Sequence, residues 1–439
     1  MKKLLYILIS LVILAGCEPK ISELTPFRGS ADFSRYIAVG NSITAGFTDG
    51  ALYTTGQANS FPNLLAGQFR LAGGGNFIQP VVTSEFGVDF PGSDPRLILG
   101  YVTDCRGVTS LGPIPDIGPK EPLGPVGYLV NNLGIPGAKT FHLLVPGYAL
   151  LNPYYARFAT APTNMLIQEI PLQNATFFSL CIGNNDLLMY AINGGAADSI
   201  TPEPVFNLSL DAIVAACVGT GTKGVIANIP DITSIPFFTT VPYNGMVLPR
   251  QTLVDSVNAA MQLYGLPFTY VLGPNPFLVP DPASPHPLFK VRPMAAGELV
   301  LLTVPQDSIK CFGMGLISAI TFLPWPIPDK YVLTQNEITA IQTATTAFNQ
   351  KISDMAALNG LALVDMHTKM QGLQAGIIWD GIRMNTRYVT GGVFSLDGIH
   401  LNPRGNAVLA NYFIESINAE FGSTIPYVDI TKYPGVIFP

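Results

Sequence analysis

Ser42 lies in the stretch AVGNSITAGF (residues 38–47), directly after an apolar run that reads as a strand. A serine hydroxyl is a weak nucleophile until a base removes its proton. Asp397 and His400 supply the residue types for that base and for the acid that would orient it. Their spacing of three, in a tight turn before a helix, can aim both side chains the same way. One ring nitrogen would then face the carboxylate and the other would face Ser42. The chemistry this suits is attack on a carbonyl, which also needs donors aimed at the developing oxyanion. The backbone N–H groups of Ser42 and Gly137 and the side-chain amide of Asn185 are the candidates. Gly137 suits the role because a side chain there would block close approach. Each residue has a plainer alternative as a turn residue. Their joint occurrence, in order and each after an apolar run, favours the chemistry.

Five strands must position these groups. Strand-like runs cover residues 36–39, 128–130, 176–182, 224–228 and 361–364. Helical patterns cover 59–71 and 249–264, begin again at Thr334, and close the chain at 403–421. Thr334 with Glu337 forms a capping box, and Asn359-Gly360 ends that helix. Asn402 is the N-cap of the last helix, with Pro403 at its first position. Strands alternating with helices predict an α/β protein, a three-layer α/β/α sandwich on a five-stranded, mostly parallel sheet. Ligands bind such sheets beyond the carboxyl ends of the strands. Ser42, Gly137 and Asn185 follow strands, and Asp397 and His400 lie just before the last helix, so the topology can bring them to one edge.

Two Gly- and Pro-rich stretches, at about 86–127 and 266–330, break this rhythm and read as insertions. The second carries two very apolar runs, 299–304 and 313–325. It suits either extra core or an apolar wall over an acyl pocket. Gly313, Gly315 and its prolines argue against a membrane-spanning helix.

The chain has 439 residues, is 48% hydrophobic and only 12% charged, about half the usual charged share. Its net charge of −6, with basic residues scattered, argues against nucleic acid as a partner. Lys2 and Lys3 precede an apolar run, 4–14, that is too short to span a membrane comfortably and fits an export signal. Leu14-Ala15-Gly16-Cys17 resembles a bacterial lipobox, which implies cleavage before Cys17 and its lipidation. Residues 1–17 are then a signal peptide, 18–30 a tether and 31–439 a single domain. The expected location is the bacterial cell envelope, anchored in the membrane through Cys17, on the periplasmic or surface face of the outer membrane. Cys105, Cys181, Cys217 and Cys311 form no metal-ligand spacing. Cys181 and Cys217 read as buried thiols, and Cys105 with Cys311 is a conceivable disulfide in an exported compartment.

Four blocks in this order resemble the SGNH or GDSL hydrolases: GNSITAG around Ser42, NNLGIPGA around Gly137, GNND around Asn185, and DGIHLNPRG with Asp397 and His400. The resemblance covers about residues 34–420, interrupted by the insertions. It implies a serine esterase or lipase that hydrolyses carboxylic esters through an acyl-enzyme, without metal or cofactor. Ser42 would be nucleophile and first oxyanion donor, Gly137 and Asn185 the other donors, His400 the base and Asp397 its orienting acid. The substrate would be a small-molecule, lipid or glycan ester. A carbohydrate O-acetyl esterase is an alternative, and so is a non-catalytic binding lipoprotein with a relic site. The usual Gly-Asp-Ser is here Gly-Asn41-Ser42, which removes a charge from the nucleophile turn but not from the triad. The α/β-hydrolase elbow G-x-S-x-G does not fit, because position 44 is Thr. Asp365 and His367 form a rival pair that also follows a strand. His142 and His286 read as structural or exposed, and Asp186 as a support for the GNND loop.

Overall fold

The central sheet of the computed structural model has five short strands: β1 (Tyr36–Gly40), β2 (Asn132–Gly134), β3 (Phe177–Cys181), β4 (Lys223–Ala227) and β5 (Ala362–Val364). The structure describes residues 25–219 and 221–439. The strand order is β5-β4-β3-β1-β2 and every pair is parallel. Ala38 pairs with Asn132 on one side and Ser179 on the other, which puts β1 in the sheet interior. Strands β1 and β3 are buried at every position, as expected of a parallel sheet covered on both faces.

The expected strand at 128–130 forms four residues later. Tyr128 and Leu129 are exposed, and the pairing residues are Asn132–Gly134. A buried Asn at the head of a strand looks unfavourable from hydropathy. Here its amide donates to Thr44 O (2.8 Å) and Gln79 Oε1 (2.9 Å), so burial leaves no donor unpaired.

The helices that matter for the site are α1 (Ser42–Ala45), α2 (Phe61–Leu71), α3 (Asn185–Ala191), α4 (Glu203–Val218), α5 (Gln251–Leu263), α6 (Gln335–Asn359) and α7 (Pro403–Phe421). Helices α2 and α7 pack together, with Phe61 stacked on Phe413 at 4.8 Å. Helices α4 and α6 pack together, with Phe206 stacked on Phe348 at 3.8 Å. The sheet lies between these pairs in a three-layer sandwich. Thr334 and Glu337 make the expected capping box on α6, and Gly360 ends it in the left-handed conformation. The Asn402 side chain caps α7 by accepting from the Gly405 N–H (2.9 Å). That cap fixes the chain direction immediately after His400.

A second core stands apart from the main one. Met246, Val254, Val257, Met261, Phe277, Leu278, Ile327 and Val332 belong to it. This core takes in Val254, Val257 and Met261 of α5, which precede the apolar stretch 266–330. The first insertion carries a long hairpin, Leu97–Thr103 paired with Thr109–Pro115. Cys105, between its strands, is disulfide-bonded to Cys311. Cys181 and Cys217 are free and buried. Phe27 donates through its N–H to Thr424 Oγ1 (3.0 Å) and Ser30 to Phe421 O (2.9 Å), so the start of the domain is held against the end of α7. The expected signal segment, Cys17 and the first part of the tether lie outside the described residues. Among the described residues no helix is long and apolar enough to cross a membrane.

Candidate active site

The turn from β1 into α1 is tight. A Cβ on Gly40 would sit 2.2 Å from Thr44 Oγ1 and 2.3 Å from Cys181 O, so only glycine fits there. Asn41 caps α1 by accepting from the Ile43 N–H (3.2 Å). A carboxylate could make the same cap. Among the described residues, the amide nitrogen that Asn41 brings instead is buried without a partner, as is Thr44 Oγ1. Ser42 follows as the first residue of α1, at the carboxyl edge of the sheet.

Ser42 Oγ lies 2.9 Å from His400 Nε2, and His400 Nδ1 lies 2.8 Å from Asp397 Oδ2. An ionised carboxylate can only accept, so Nδ1 carries the proton and Nε2 is free to accept from the Ser42 hydroxyl. Asp397 is held by four further donors. Its Oδ1 accepts from Ser395 Oγ (2.9 Å) and from the Ile399 and His400 N–H groups (2.8 Å each). Its Oδ2 also accepts from the Gly50 N–H (3.0 Å). Burial pushes this carboxyl upward, but the facing His400 ring and the backbone donors outweigh it and hold Asp397 well below the usual carboxylate range. The His400 ring also packs against Phe47, with centroids 4.9 Å apart.

Sequence reasoning missed the residues behind Asp397. Asp49 accepts from the Leu396 N–H (2.9 Å) and from Tyr53 OH (2.8 Å), while its own N–H donates to Ser395 Oγ (3.1 Å). Burial raises the Asp49 carboxyl above its ordinary value, and the nearby Asp397 charge adds to that rise. Asp49, Gly50 and Ser395 thus fix the turn that carries Asp397 and His400. The local signal for them was the Asp49-Gly50 dipeptide, whose two residues both take positive φ, 50° and 78°.

Gly137 has φ 79°, and a Cβ there would meet nothing within 4 Å. It faces open space, and among the described residues nothing accepts from its N–H or from that of Ser42. Asn185 opens α3, and its amide donates one hydrogen to Ala138 O (2.9 Å), leaving the other available. Asp186 accepts from the Thr140 N–H (2.9 Å) and Thr140 Oγ1 (2.7 Å), which ties the loop carrying Gly137 to α3. Its own carboxyl is raised by burial. Ser42, Gly137, Asn185 and His400 all line one cavity of about 300 Å³. A hydroxyl bonded to an oriented imidazole, facing unpaired N–H donors across such a space, can attack a carbonyl and hold the resulting oxyanion.

The rival pair is arranged differently. Asp365 caps a helix by accepting from the Thr368 N–H (3.2 Å) and Thr368 Oγ1 (2.6 Å), and it also accepts from Asn228 Nδ2 (2.8 Å). Among the described residues no hydrogen bond joins it to the His367 ring, and none reaches that ring's buried Nδ1. His142 Nδ1 accepts from the Lys139 N–H (3.0 Å), its ring stacks on Tyr148, and burial lowers its pKa. His286 Nδ1 accepts from the Phe289 N–H (2.8 Å). Both are used structurally. Among the described residues no group of three or more His, Cys, Asp or Glu side chains is placed to hold a metal ion.

No protein-family model and no curated protein matches the chain. Among solved structures it is similar to a lipase/acylhydrolase from Enterococcus faecalis, at 11% identity and TM-score 0.33, covering 90% of this chain and 98% of that one. It is also similar to an alpha/beta hydrolase enzyme from the metagenome of Lake Arreo, at 13% identity and TM-score 0.35, covering 89% and 96%. A third is an extracellular lipase from Streptomyces rimosus, at 13% identity and TM-score 0.33, covering 87% and 98%.

Proposed function

We propose that the chain is a serine hydrolase of carboxylic esters. The observation that carries this reading is the unbroken chain from Ser42 Oγ to His400 Nε2 (2.9 Å) and from His400 Nδ1 to Asp397 Oδ2 (2.8 Å), which opens on a cavity beside unpaired N–H donors. Ser42 attacks the ester carbonyl as His400 takes its proton. Asp397 holds the ring in the tautomer that can accept and stabilises the imidazolium that forms. The Ser42 and Gly137 N–H groups and the Asn185 amide receive the oxyanion. Each such donor is worth about 3–4 kcal/mol of barrier when it is pre-aimed. The imidazolium returns its proton to the leaving alcohol, and an acyl group remains on Ser42. His400 then activates water, and the same donors hold the second oxyanion until the acid leaves.

We also propose that the enzyme works outside the cytoplasm, anchored through lipidated Cys17. The lipobox residues support this, and so does the Cys105–Cys311 disulfide, a bond that persists in oxidising compartments. A fluorophosphonate probe tests the hydrolase reading. Stoichiometric labelling that Ser42→Ala abolishes is the expected result. A folded protein that resists the probe, or is labelled equally well without Ser42, contradicts it.

A further inference from the structure

The Ser42 cavity adjoins a much larger one. A space of about 900 Å³ lies beyond Gly50, Asp94 and Ile399, three residues that line both cavities. Its lining is mostly apolar and comes largely from two segments, with Leu396, Asp397 and Ile399 of the catalytic turn beside them. Leu97 and Pro113 belong to the hairpin, while Val241, Phe277, Leu302 and Ile309 lie in the segment that carries the second core. Much of the space lies where these two segments face each other. They are joined there by the Cys105–Cys311 disulfide and by Arg106, which donates through Nε to Lys310 O (3.1 Å). The space between Ser42 and the main core, by contrast, is only about 70 Å³.

We propose that the large cavity binds the long apolar chain of an ester whose carbonyl sits at Ser42, so that the enzyme is selective for long-chain over acetyl esters. This rests on the hydrolase reading above. An apolar space of this volume is in the range that buries most of a sizeable ligand. Asp94, Gln306 and Lys310 put some polar groups on its walls, but apolar surface dominates, which suits an alkyl chain better than a glycan. Burying one methylene is worth roughly a fourfold gain in binding. Ile399 lines the large cavity, the Ser42 cavity and the small space alike, so it stands where the ester must bend from one to the next. The apolar chain belongs to either the acyl or the alcohol half of the ester, and the test separates the two.

The full-length protein carries the test. Ser42→Ala protein, which cannot turn over, is titrated with palmitate. Saturable binding is expected, weakened at least about tenfold by Val247→Trp, the loss of roughly two methylenes' worth of room. Val247 lines the cavity with a half-exposed side chain, and Thr303→Trp, from another exposed lining position, must reproduce the effect. In parallel, wild-type kcat/KM is measured on nitrophenyl esters from acetyl to palmitoyl and on acetates of alcohols of increasing length. A rise along the first series assigns the chain to the acyl half; a rise only along the second assigns it to the alcohol half. Acetyl turnover with flat series and no palmitate binding overturns this proposal and leaves the hydrolase reading standing. Palmitate binding that both tryptophans weaken, with no turnover of any ester, keeps a chain-binding cavity and overturns the hydrolase reading.

Discussion

Asp397→Asn separates orientation of the base from the mere presence of a polar group. The carboxylate accepts five hydrogen bonds: three at Oδ1, from Ser395 Oγ and the Ile399 and His400 N–H groups, and two at Oδ2, from the Gly50 N–H and the His400 ring. An amide cannot serve all five. With its NH₂ at the Oδ1 position it opposes two backbone donors. With its NH₂ at the Oδ2 position it opposes only the Gly50 N–H, because the imidazole can switch tautomer. The second arrangement wins by about one opposed donor, or 1–3 kcal/mol. In it His400 accepts at Nδ1 and carries its proton on Nε2, facing the Ser42 hydroxyl with a donor. The base is lost while the fold survives. The expected fall in kcat is on the order of 10⁴, about 5 kcal/mol of barrier, and the global stability loss is about 1–3 kcal/mol. The pH dependence supplies a second readout. The folded pKa of Asp397 is depressed below its ordinary 3.8, so its contribution to stability is complete above that value and is lost as pH falls below it. The stability gap between wild type and variant should therefore narrow in acid. The assay is nitrophenyl acetate kinetics at neutral pH, with urea unfolding at neutral and acidic pH. A variant that keeps its activity within about tenfold of wild type while losing stability would refute the tautomer argument and leave Asp397 a structural residue.

Three other outcomes are expected. Asn185→Ala should lower kcat about 10²–10³-fold with little change in KM, because an oxyanion donor acts in the transition state; an effect confined to KM contradicts that role. Asp49 is raised by burial, so its contribution favours the fold below its ordinary pKa and is lost as pH rises through the folded value. Asp49→Asn keeps an acceptor for the Leu396 N–H and should gain stability over wild type as pH rises from acid to neutral, whereas parallel unfolding-midpoint curves would count against the buried charge. The Cys105→Ser/Cys311→Ser double variant should lose about 2–4 kcal/mol in denaturant unfolding and, since the disulfide joins the two walls of the large cavity, lose more activity on long esters than on acetyl esters; equal losses on both would contradict that placement.

What could be read in the sequence was what neighbouring residues decide. The Thr334–Glu337 capping box, the Asn402-Pro403 helix start and the Gly40-Asn41-Ser42 turn are local features, and each lies where its residue types require. Asp397 and His400, three residues apart, share a turn for the same reason. The alternation of strands and helices gave the sheet and layers, since a parallel sheet admits few topologies. What escaped depended on distant partners. The strand at Asn132–Gly134 hides behind a buried asparagine whose amide is satisfied from Thr44 and Gln79. Asp49 and Gly50 meet the Asp397 turn across nearly the whole chain. The large cavity is lined by segments far apart in sequence, which hydropathy reads one at a time. Extra core and apolar wall were alternatives for the second insertion; the structure gives it both a core of its own and one side of a cavity.

The central claim is that Ser42 attacks an ester with His400 as its base. Its most direct test is kcat/KM on nitrophenyl esters for wild type, Ser42→Ala and His400→Ala, each shown to be folded by its unfolding transition. Turnover in wild type that falls at least about 10³-fold in both variants is the result expected. Turnover that survives either substitution, or that is absent from all three folded proteins across the ester series, contradicts the account.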